Sequence, residues 1–213
     1  MIRYDMAQRA PEWRAIRCGK LTASDAKDML ATIKTGEAAA RRDLRATLVA
    51  ERLTGRSQDE AFVNDAMQHG IDTEDAARRC YEAERGDLVT AVGFLARDEL
   101  AAGCSPDGLV GDGLLELKCP KTATHLTYMR DPSALVATYK AQLTHALWVS
   151  GAPWIDVASF DNRLTPNLQF VVVRLERTAV DLAAHEAAAR KFLTEVDLDV
   201  ASLQGWGVLR EIA

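Results

Sequence analysis

The sequence contains few cysteines, and they form no recognisable pattern. None of the four belongs to a C-x-x-C pair: Cys18, Cys80, Cys104 and Cys119. This spacing argues against a zinc ribbon and against a disulfide framework, so we expect reduced thiols. The four histidines show neither H-x-x-x-H nor H-E-x-x-H spacing, and we expect them to be structural or surface residues.

Long apolar runs are also missing. The longest, such as residues 168–173, are far too short to span a bilayer. The N-terminal segment MIRYDMAQRAPEW lacks the apolar core of a signal peptide. The sequence therefore predicts an intracellular, cytoplasmic protein that has no membrane partner.

A surplus of basic residues is absent as well. The formal net charge is −5 over 213 residues, while the hydrophobic share of 48% and the charged share of 27% are ordinary for a globular protein. A DNA-binding domain often carries a basic surplus. Any DNA site must therefore be a local basic patch on an acidic body, offset in part by bound metal ions.

The chain shows no repeat, no low-complexity stretch and no linker, which favours a single domain over residues 1–213. Its patterns predict helices over residues 25–33, 37–53, 73–85, 132–149 and 178–196, the first of them capped by Ser24. They predict strands over residues 88–95, 154–160 and 168–176, and a hairpin within 104–121. This order indicates an α/β (mixed α+β) fold in which helices flank a central mixed sheet.

The segment CSPDGLVGDGLLELKCPK, residues 104–121, carries the strongest local signal. Its GDG triplet predicts a tight hairpin turn, and two registers stay open. One places Asp107 opposite Lys118, and the other places it opposite Glu116. In both registers these three charged side chains share one face of the hairpin, and Leu115 and Leu117 point into the core.

Two carboxylates and one ammonium group on a sheet face can be a solvated surface with cross-strand pairs. They can also be a catalytic site. Oxygen ligands at the end of a strand suit Mg²⁺ or Mn²⁺, which share their sites with water and phosphate. A lysine beside them could position or deprotonate an attacking water and stabilise the transition state.

Four segments resemble one nuclease family, in the same order along the chain. Residues 12–26 read EWRAIRCGKLTASDA and resemble the W-x-x-x-R-x-G-x-x-T-A-S segment of lambda-exonuclease-like, or YqaJ-type, viral recombinase nucleases. Residues 69–82 and 139–151 resemble their G-x-x-x-E-x-x-A and Y-x-x-Q helices. The hairpin resembles the D-x(n)-E-x-K signature of their restriction-endonuclease-like superfamily. The resemblance covers residues 13–151 and implies a restriction-endonuclease-like core.

The resemblance also implies a set of catalytic residues. Its metal ligands are Asp107, Glu116, the Leu117 carbonyl and Glu74, the last directly or through water. Lys118 would contact the attacking water, and Gln142 would lie near the active site. Two Mg²⁺ ions, for which Mn²⁺ can substitute, would fit in-line hydrolysis of a phosphodiester.

A pocket for a terminal 5′ phosphate, formed by Arg17 and Ser24, is implied in the same way. An arginine fork pairs with phosphate oxygens, and a serine at a helix N-terminus adds a hydroxyl beside free N–H groups. Further DNA contacts would come from Arg14, Lys20, Lys121 and Tyr139. A purely capping Ser24 and a solvated Lys121 are the simpler interpretations of those two residues.

The sequence thus predicts a Mg²⁺-dependent 5′→3′ exonuclease that digests one strand of linear duplex DNA and leaves a 3′ overhang, in a bacterium or a phage-infected cell. By resemblance, it would act on DNA ends as a homo-trimer beside a single-strand annealing protein. Three alternatives stay open: an endonuclease or single-strand nuclease of this fold, a non-catalytic DNA-end-binding protein, and an enzyme unrelated to nucleic acid. The last requires Arg17, Ser24 and Glu74 to lie far from Asp107.

Overall fold

The computed structural model describes residues 1–58 and 65–207, which form seven α-helices and eight short strands. The strands are β1 Ile2–Tyr4, β2 Leu21–Thr22, β3 Phe94–Ala96, β4 Ala102–Cys104, β5 Gly108–Val110, β6 Gly113–Lys118, β7 Trp154–Phe160 and β8 Phe170–Glu176. The helices are α1 Pro11–Arg17, α2 Ala26–Met29, α3 Ala39–Thr54, α4 Asp65–Arg85, α5 Thr122–Arg130, α6 Pro132–Ser150 and α7 Leu182–Gln204. None of these described helices is long and apolar enough to cross a membrane.

Two four-stranded mixed sheets organise the chain. One has the order β5-β6-β7-β8, in which only the central β6–β7 pair is parallel. The other has the order β1-β3-β4-β2, with β2 parallel to β4. The predicted mixed α/β class is confirmed. Strands β1, β2 and β4 were not predicted, because segments of two or three residues are too short to show an alternating pattern.

The β5–β8 sheet is covered on both faces. Leu114 belongs to the core formed with helices α6 and α7, while Leu115 and Leu117 pack against Tyr81 of α4 on the opposite face. Full burial of each leucine contributes about 1.5–3 kcal/mol. The prediction that Leu115 and Leu117 point into a core is confirmed, and strand β6 is thereby fixed between two apolar layers.

Glycines end the long helices where the sequence predicts. Gly55, Gly86 and Gly151 follow α3, α4 and α6 with φ of +66°, +72° and +78°. A residue without a Cβ adopts this left-handed conformation without strain. The carboxyl ends of these helices were therefore predicted to within a residue.

Several element starts differ from the prediction. Helix α7 begins at Leu182 rather than at residue 178, because the Asp181 side chain accepts the N–H of Ala184 and caps it there. Residues 88–95 contribute only the first part of β3, and Thr90 forms one isolated bridge with Leu109. Helices α1 and α5 were not predicted.

The predicted cap at Ser24 was wrong. The segment starts two residues earlier than predicted, as a 3₁₀ turn at Ala23–Asp25 that Thr22 caps. Asp25 Oδ2 accepts both the Thr22 N–H, at 2.8 Å, and the Thr22 hydroxyl, at 2.7 Å. This reciprocal capping box favours Thr22 over Ser24.

A pair of buried histidines ties helix α6 to helix α7. His145 Nδ1 lies 3.1 Å from His185 Nε2, and both rings meet the Trp148 ring edge-on. Burial, together with the neighbouring His185, lowers the pKa of His145 to about 3. Burial lowers the pKa of His185 to about 4. Both rings are therefore neutral in the folded chain near neutral pH.

We expect the free energy of unfolding to fall as the pH drops from about 6.5 towards 4. In this window the unfolded chain binds a proton on each histidine and the folded chain does not, so each contributes a loss of up to about 1.4 kcal/mol per pH unit. Urea unfolding across this range, with wild type and His185→Asn, measures the effect. The variant should show a slope shallower by about one proton; equal slopes would contradict this account.

Candidate active site

The hairpin adopts one of the two registers that the sequence left open. Its turn lies at Gly111-Asp112, where Gly111 has φ +56°. Gly108 pairs with Leu115, and the next residues outward, Asp107 and Glu116, lie opposite each other. The two carboxylates therefore share one face of the hairpin at its open end.

The Asp107 side chain accepts a backbone N–H of strand β6 that would otherwise bond to a backbone carbonyl. Its own N–H donates to the Leu115 carbonyl at 2.9 Å, and its Oδ2 accepts the Leu117 N–H at 2.6 Å. Within one strand residue the N–H and the C=O point to the same side. The Leu117 carbonyl is thus directed towards Asp107, as a ligand from this strand would be.

Glu116, Lys118 and Gln142 form a closed hydrogen-bonded triangle. Glu116 Oε1 accepts Lys118 Nζ and Gln142 Nε2, both at 2.6 Å, and Lys118 Nζ also donates to Gln142 Oε1 at 3.2 Å. Tyr139 lies one turn before Gln142 on helix α6, and its ring centroid is 4.6 Å from Lys118 Nζ. The structure thus brings together five predicted residues: Asp107, Glu116, Lys118, Tyr139 and Gln142.

The charged side chains of the site, Asp107, Glu116 and Lys118, lie close together and are largely buried from water. Burial, and then the neighbouring Glu116, raise the pKa of Asp107 well above its usual range. Burial alone would lower the pKa of Lys118, but Glu116 and Asp107 outweigh that effect and raise it. Lys118 is therefore an ammonium donor, and the two carboxylates repel each other.

The donor set suits a hard divalent cation. Asp107, Glu116 and the Leu117 carbonyl offer oxygen atoms, and a cation among them would relieve the repulsion that raises the Asp107 pKa. In the described part of the chain no three His, Cys, Asp or Glu side chains enclose a metal ion by themselves. Water and phosphate oxygens would complete the coordination, as Mg²⁺ usually requires.

Glu74 lies at the edge of the site rather than inside it. Its Oε2 accepts Arg9 NH2 at 2.9 Å, and its Oε1 is 3.6 Å from Arg78 NH2. Its charge nevertheless contributes to the raised pKa of Asp107, so the two carboxylates are neighbours. Its role as a ligand stays a prediction. Arg9 is the one non-glycine residue in the described chain with positive φ, at +69°.

A small polar pocket of about 70 Å³ lies between the N-terminal part of the chain and helix α3. Its polar lining combines the predicted Arg17, Lys20 and Ser24 with two acids, Asp25 and Glu51. The Arg17 guanidinium lies 4.1 Å from the Trp13 ring centroid and 3.5 Å from Ser105 Oγ.

Ser105 connects this pocket to the hairpin, because it precedes Asp107 by two residues and also accepts the indole N–H of Trp13 at 2.9 Å. Arg17 thus reaches the hairpin through Ser105, and Ser24 lines the same pocket as Arg17. These contacts argue against the alternative in which Arg17, Ser24 and Glu74 lie far from Asp107.

Two predicted DNA contacts lie outside this arrangement. Arg14 is exposed on α1 and does not line the pocket. Lys121 is exposed and occupies the residue before α5, three residues beyond Lys118. Both stay predictions, since neither side chain contacts the site residues described above.

Comparisons with known proteins agree with this geometry. Residues 12–153 match the YqaJ-like viral recombinase domain. The alkaline exonuclease LHK-Exo from Laribacter hongkongensis superposes with a TM-score of 0.82 at 36% identity, over 92% of this chain and 96% of that chain. The crystal structure of LHK-Exo in complex with dAMP gives a TM-score of 0.83 at the same identity and coverage.

A phage-related exonuclease from Haemophilus somnus 129PT shares the fold, with a TM-score of 0.66 at 12% identity over 84% of this chain and 96% of that chain. No protein with curated function matches the sequence. The match over residues 12–153 coincides closely with the motif-bearing residues 13–151. The chain therefore belongs to the YqaJ-like viral recombinase family, and within it to the exonucleases.

Proposed function

We propose that the chain is a Mg²⁺-dependent 5′→3′ exonuclease that digests one strand of linear duplex DNA and leaves a 3′ overhang. One observation carries the proposal: Arg17, which lines a small polar pocket, contacts Ser105, two residues before the Asp107 of the carboxylate–lysine site. Such an arrangement can hold the end of a strand and present a nearby phosphodiester to the carboxylates.

Each side chain of the site has a distinct role in hydrolysis. A divalent cation held by Asp107, Glu116 and the Leu117 carbonyl would activate water and neutralise phosphate charge. Beside its bonds to Glu116 and Gln142, Lys118 has one N–H left, which donates to the attacking water while the ammonium charge stabilises the charge that develops. Gln142 fixes Glu116 and Lys118 relative to each other. The Tyr139 ring covers the ammonium group and limits its hydration.

The pocket that contains Arg17, Lys20 and Ser24 supports the direction of digestion. Its volume of about 70 Å³ suits a phosphate group rather than a nucleoside. Arg17 and Lys20 supply positive charge there, and Ser24 supplies a hydroxyl group. A strand gripped by its 5′ phosphate would lose nucleoside monophosphates from that end, and the relative LHK-Exo has been solved with dAMP, a molecule of this class.

The wider assembly is also a proposal. An acidic chain with a net charge of −5 would hold DNA mainly at its end, through the cations of a local pocket. As the family resemblance implies, it would work as a homo-trimer and pass the exposed strand to a single-strand annealing protein.

We expect the enzyme to degrade linear duplex DNA from 5′-phosphorylated ends, with Mg²⁺ and not with EDTA. Matched duplexes with a labelled 5′-phosphate or 5′-hydroxyl strand measure end preference, because only the phosphate engages the pocket. A closed circle is the control and should stay intact. Cutting of the circle would show that the protein is an endonuclease of the same fold. Binding of DNA ends without cutting would favour a non-catalytic end-binding protein.

A further inference from the structure

Helix α3 fixes the peptide that runs past the pocket containing Arg17, Lys20 and Ser24. The Gly19 N–H donates to Glu51 Oε2 at 2.6 Å, and Arg52 Nε donates to the Gly19 carbonyl at 2.8 Å. Gly19 has φ +71°, and a Cβ there would lie 2.7 Å from Arg52 Cγ. Both polar groups of Gly19 are thus fixed by adjacent residues of one helix, with no room for a side chain.

Glu51 is a buried acid whose two oxygens are both committed to backbone groups. Its side chain lines the pocket while the residue is only 6% exposed, and Oε1 accepts the Gln58 N–H at 2.8 Å. Such charge-assisted bonds compensate a buried carboxylate for its lost hydration. They also turn the negative charge of Glu51 towards the backbone of residues 19 and 58.

Arg52 also connects this peptide to the last helix. Besides Gly19, its guanidinium forms an ion pair with the exposed Asp197 of α7. The bond to Gly19 and the pair with Asp197 use different nitrogen atoms, Nε and NH1. The two contacts can therefore be removed separately by substitution.

The segment held by Glu51 and Arg52 carries the pocket. Residues 17–24 bring Arg17, Lys20 and Ser24 to one place, and Gly19 lies between the first two. The segment is tied at its far side by the Leu21 N–H, which donates to the Ala101 carbonyl at 2.9 Å. The Lys20 N–H also donates to the Arg17 carbonyl at 3.0 Å, so Glu51 and Arg52 add to a turn that the backbone already closes, and they hold both polar groups of Gly19.

We infer that Glu51 and Arg52 are positioning residues for recognition of the terminal phosphate. They act through Gly19, by fixing the directions from which Arg17 and Lys20 approach the phosphate. This inference rests on the proposed function, because it deepens the role of the same pocket. Recognition by several converging donors is sensitive to displacements of about 1 Å.

The test is the ratio of kcat/KM for duplexes with 5′-phosphate and 5′-hydroxyl ends. The ratio should fall about 10- to 100-fold in both Glu51→Met and Arg52→Lys, mainly because KM for the phosphorylated end rises. Arg52→Lys keeps a positive charge near Asp197 but lacks the Nε–H that binds Gly19. Activity on 5′-hydroxyl ends should change little. Glu51→Gln, which keeps one acceptor, should restore part of the ratio. The matched control Asp197→Asn should leave it unchanged.

A general loss of structure would lower both rates together and leave the ratio intact, and this outcome would overturn the inference. If Glu51→Met does not fold, Arg52→Lys decides the question by the same ratio. A wild-type enzyme that does not prefer 5′-phosphate would overturn the proposed end recognition together with the inference. A wild-type preference that both variants retain would overturn the inference alone.

Discussion

Replacing Lys118 with alanine is expected to lower kcat by about 10³-fold while the enzyme still binds 5′-phosphorylated ends. The ammonium group is fixed by Glu116 and Gln142 and faces the ring of Tyr139, so it is preorganised to stabilise charge as it develops. None of its contacts reaches the pocket that contains Arg17 and Ser24. Single-turnover cleavage and fluorescence anisotropy of labelled duplex ends measure the two properties separately.

Lys140→Ala is the matched control for this experiment. Lys140 lies on the same helix as Gln142, next to Tyr139, but it is exposed. Its removal should change cleavage by less than about twofold, because a solvated surface charge contributes little. Equal losses in the two variants would mean that cleavage depends on the general positive charge around the site and not on Lys118 itself. An active Lys118→Ala enzyme would remove Lys118 from the mechanism.

The central site could be predicted because its pattern is local. Side chains alternate along a strand, so Asp107, Glu116 and Lys118 had to share a face in either hairpin register. The sequence could not choose between the registers, because Gly111 and Gly113 both allow a tight turn. The structure selects the one in which the Asp107 carboxylate accepts the Leu117 N–H.

The surroundings of the site depend on contacts between distant segments, which a single sequence does not reveal. Glu51 and Arg52 look like ordinary charges on a helix, yet they fix Gly19, more than thirty residues earlier. Arg9 shows no motif, yet its guanidinium contacts Glu74, 65 residues later. Thr22 was the one missed residue with a local signal, since the T-x-x-D spacing of a capping box was present.

Replacing Asp107 with asparagine should inactivate the enzyme and stabilise the metal-free chain, because the substitution removes the repulsion between the Asp107 and Glu116 carboxylates. Folding raises the pKa of Asp107 through burial and through Glu116, so folding favours its neutral form. The contribution of Asp107 to the free energy of unfolding is therefore full at low pH and is lost as the pH rises through the raised pKa. Asparagine removes that loss and can still accept the Leu117 N–H, so we expect a gain of about 1–2 kcal/mol near pH 8.

Thermal unfolding with and without Mg²⁺ or Mn²⁺ measures this effect, and Asp161→Asn provides a contrast of the opposite sign. Asp161 is also fully buried, but hydrogen bonds from Arg163 and Thr122 outweigh its burial and lower its pKa to about 2. Neutralising it removes the charge that pairs with Arg163, which would keep only neutral acceptors such as the Pro120 carbonyl, and should lower Tm. The cations should raise Tm of the wild type and not that of Asp107→Asn, because ligands stabilise only the state that binds them. If both substitutions destabilise the chain equally, the carboxylates at residues 107 and 116 are not in conflict, and the argument for a cation between them fails.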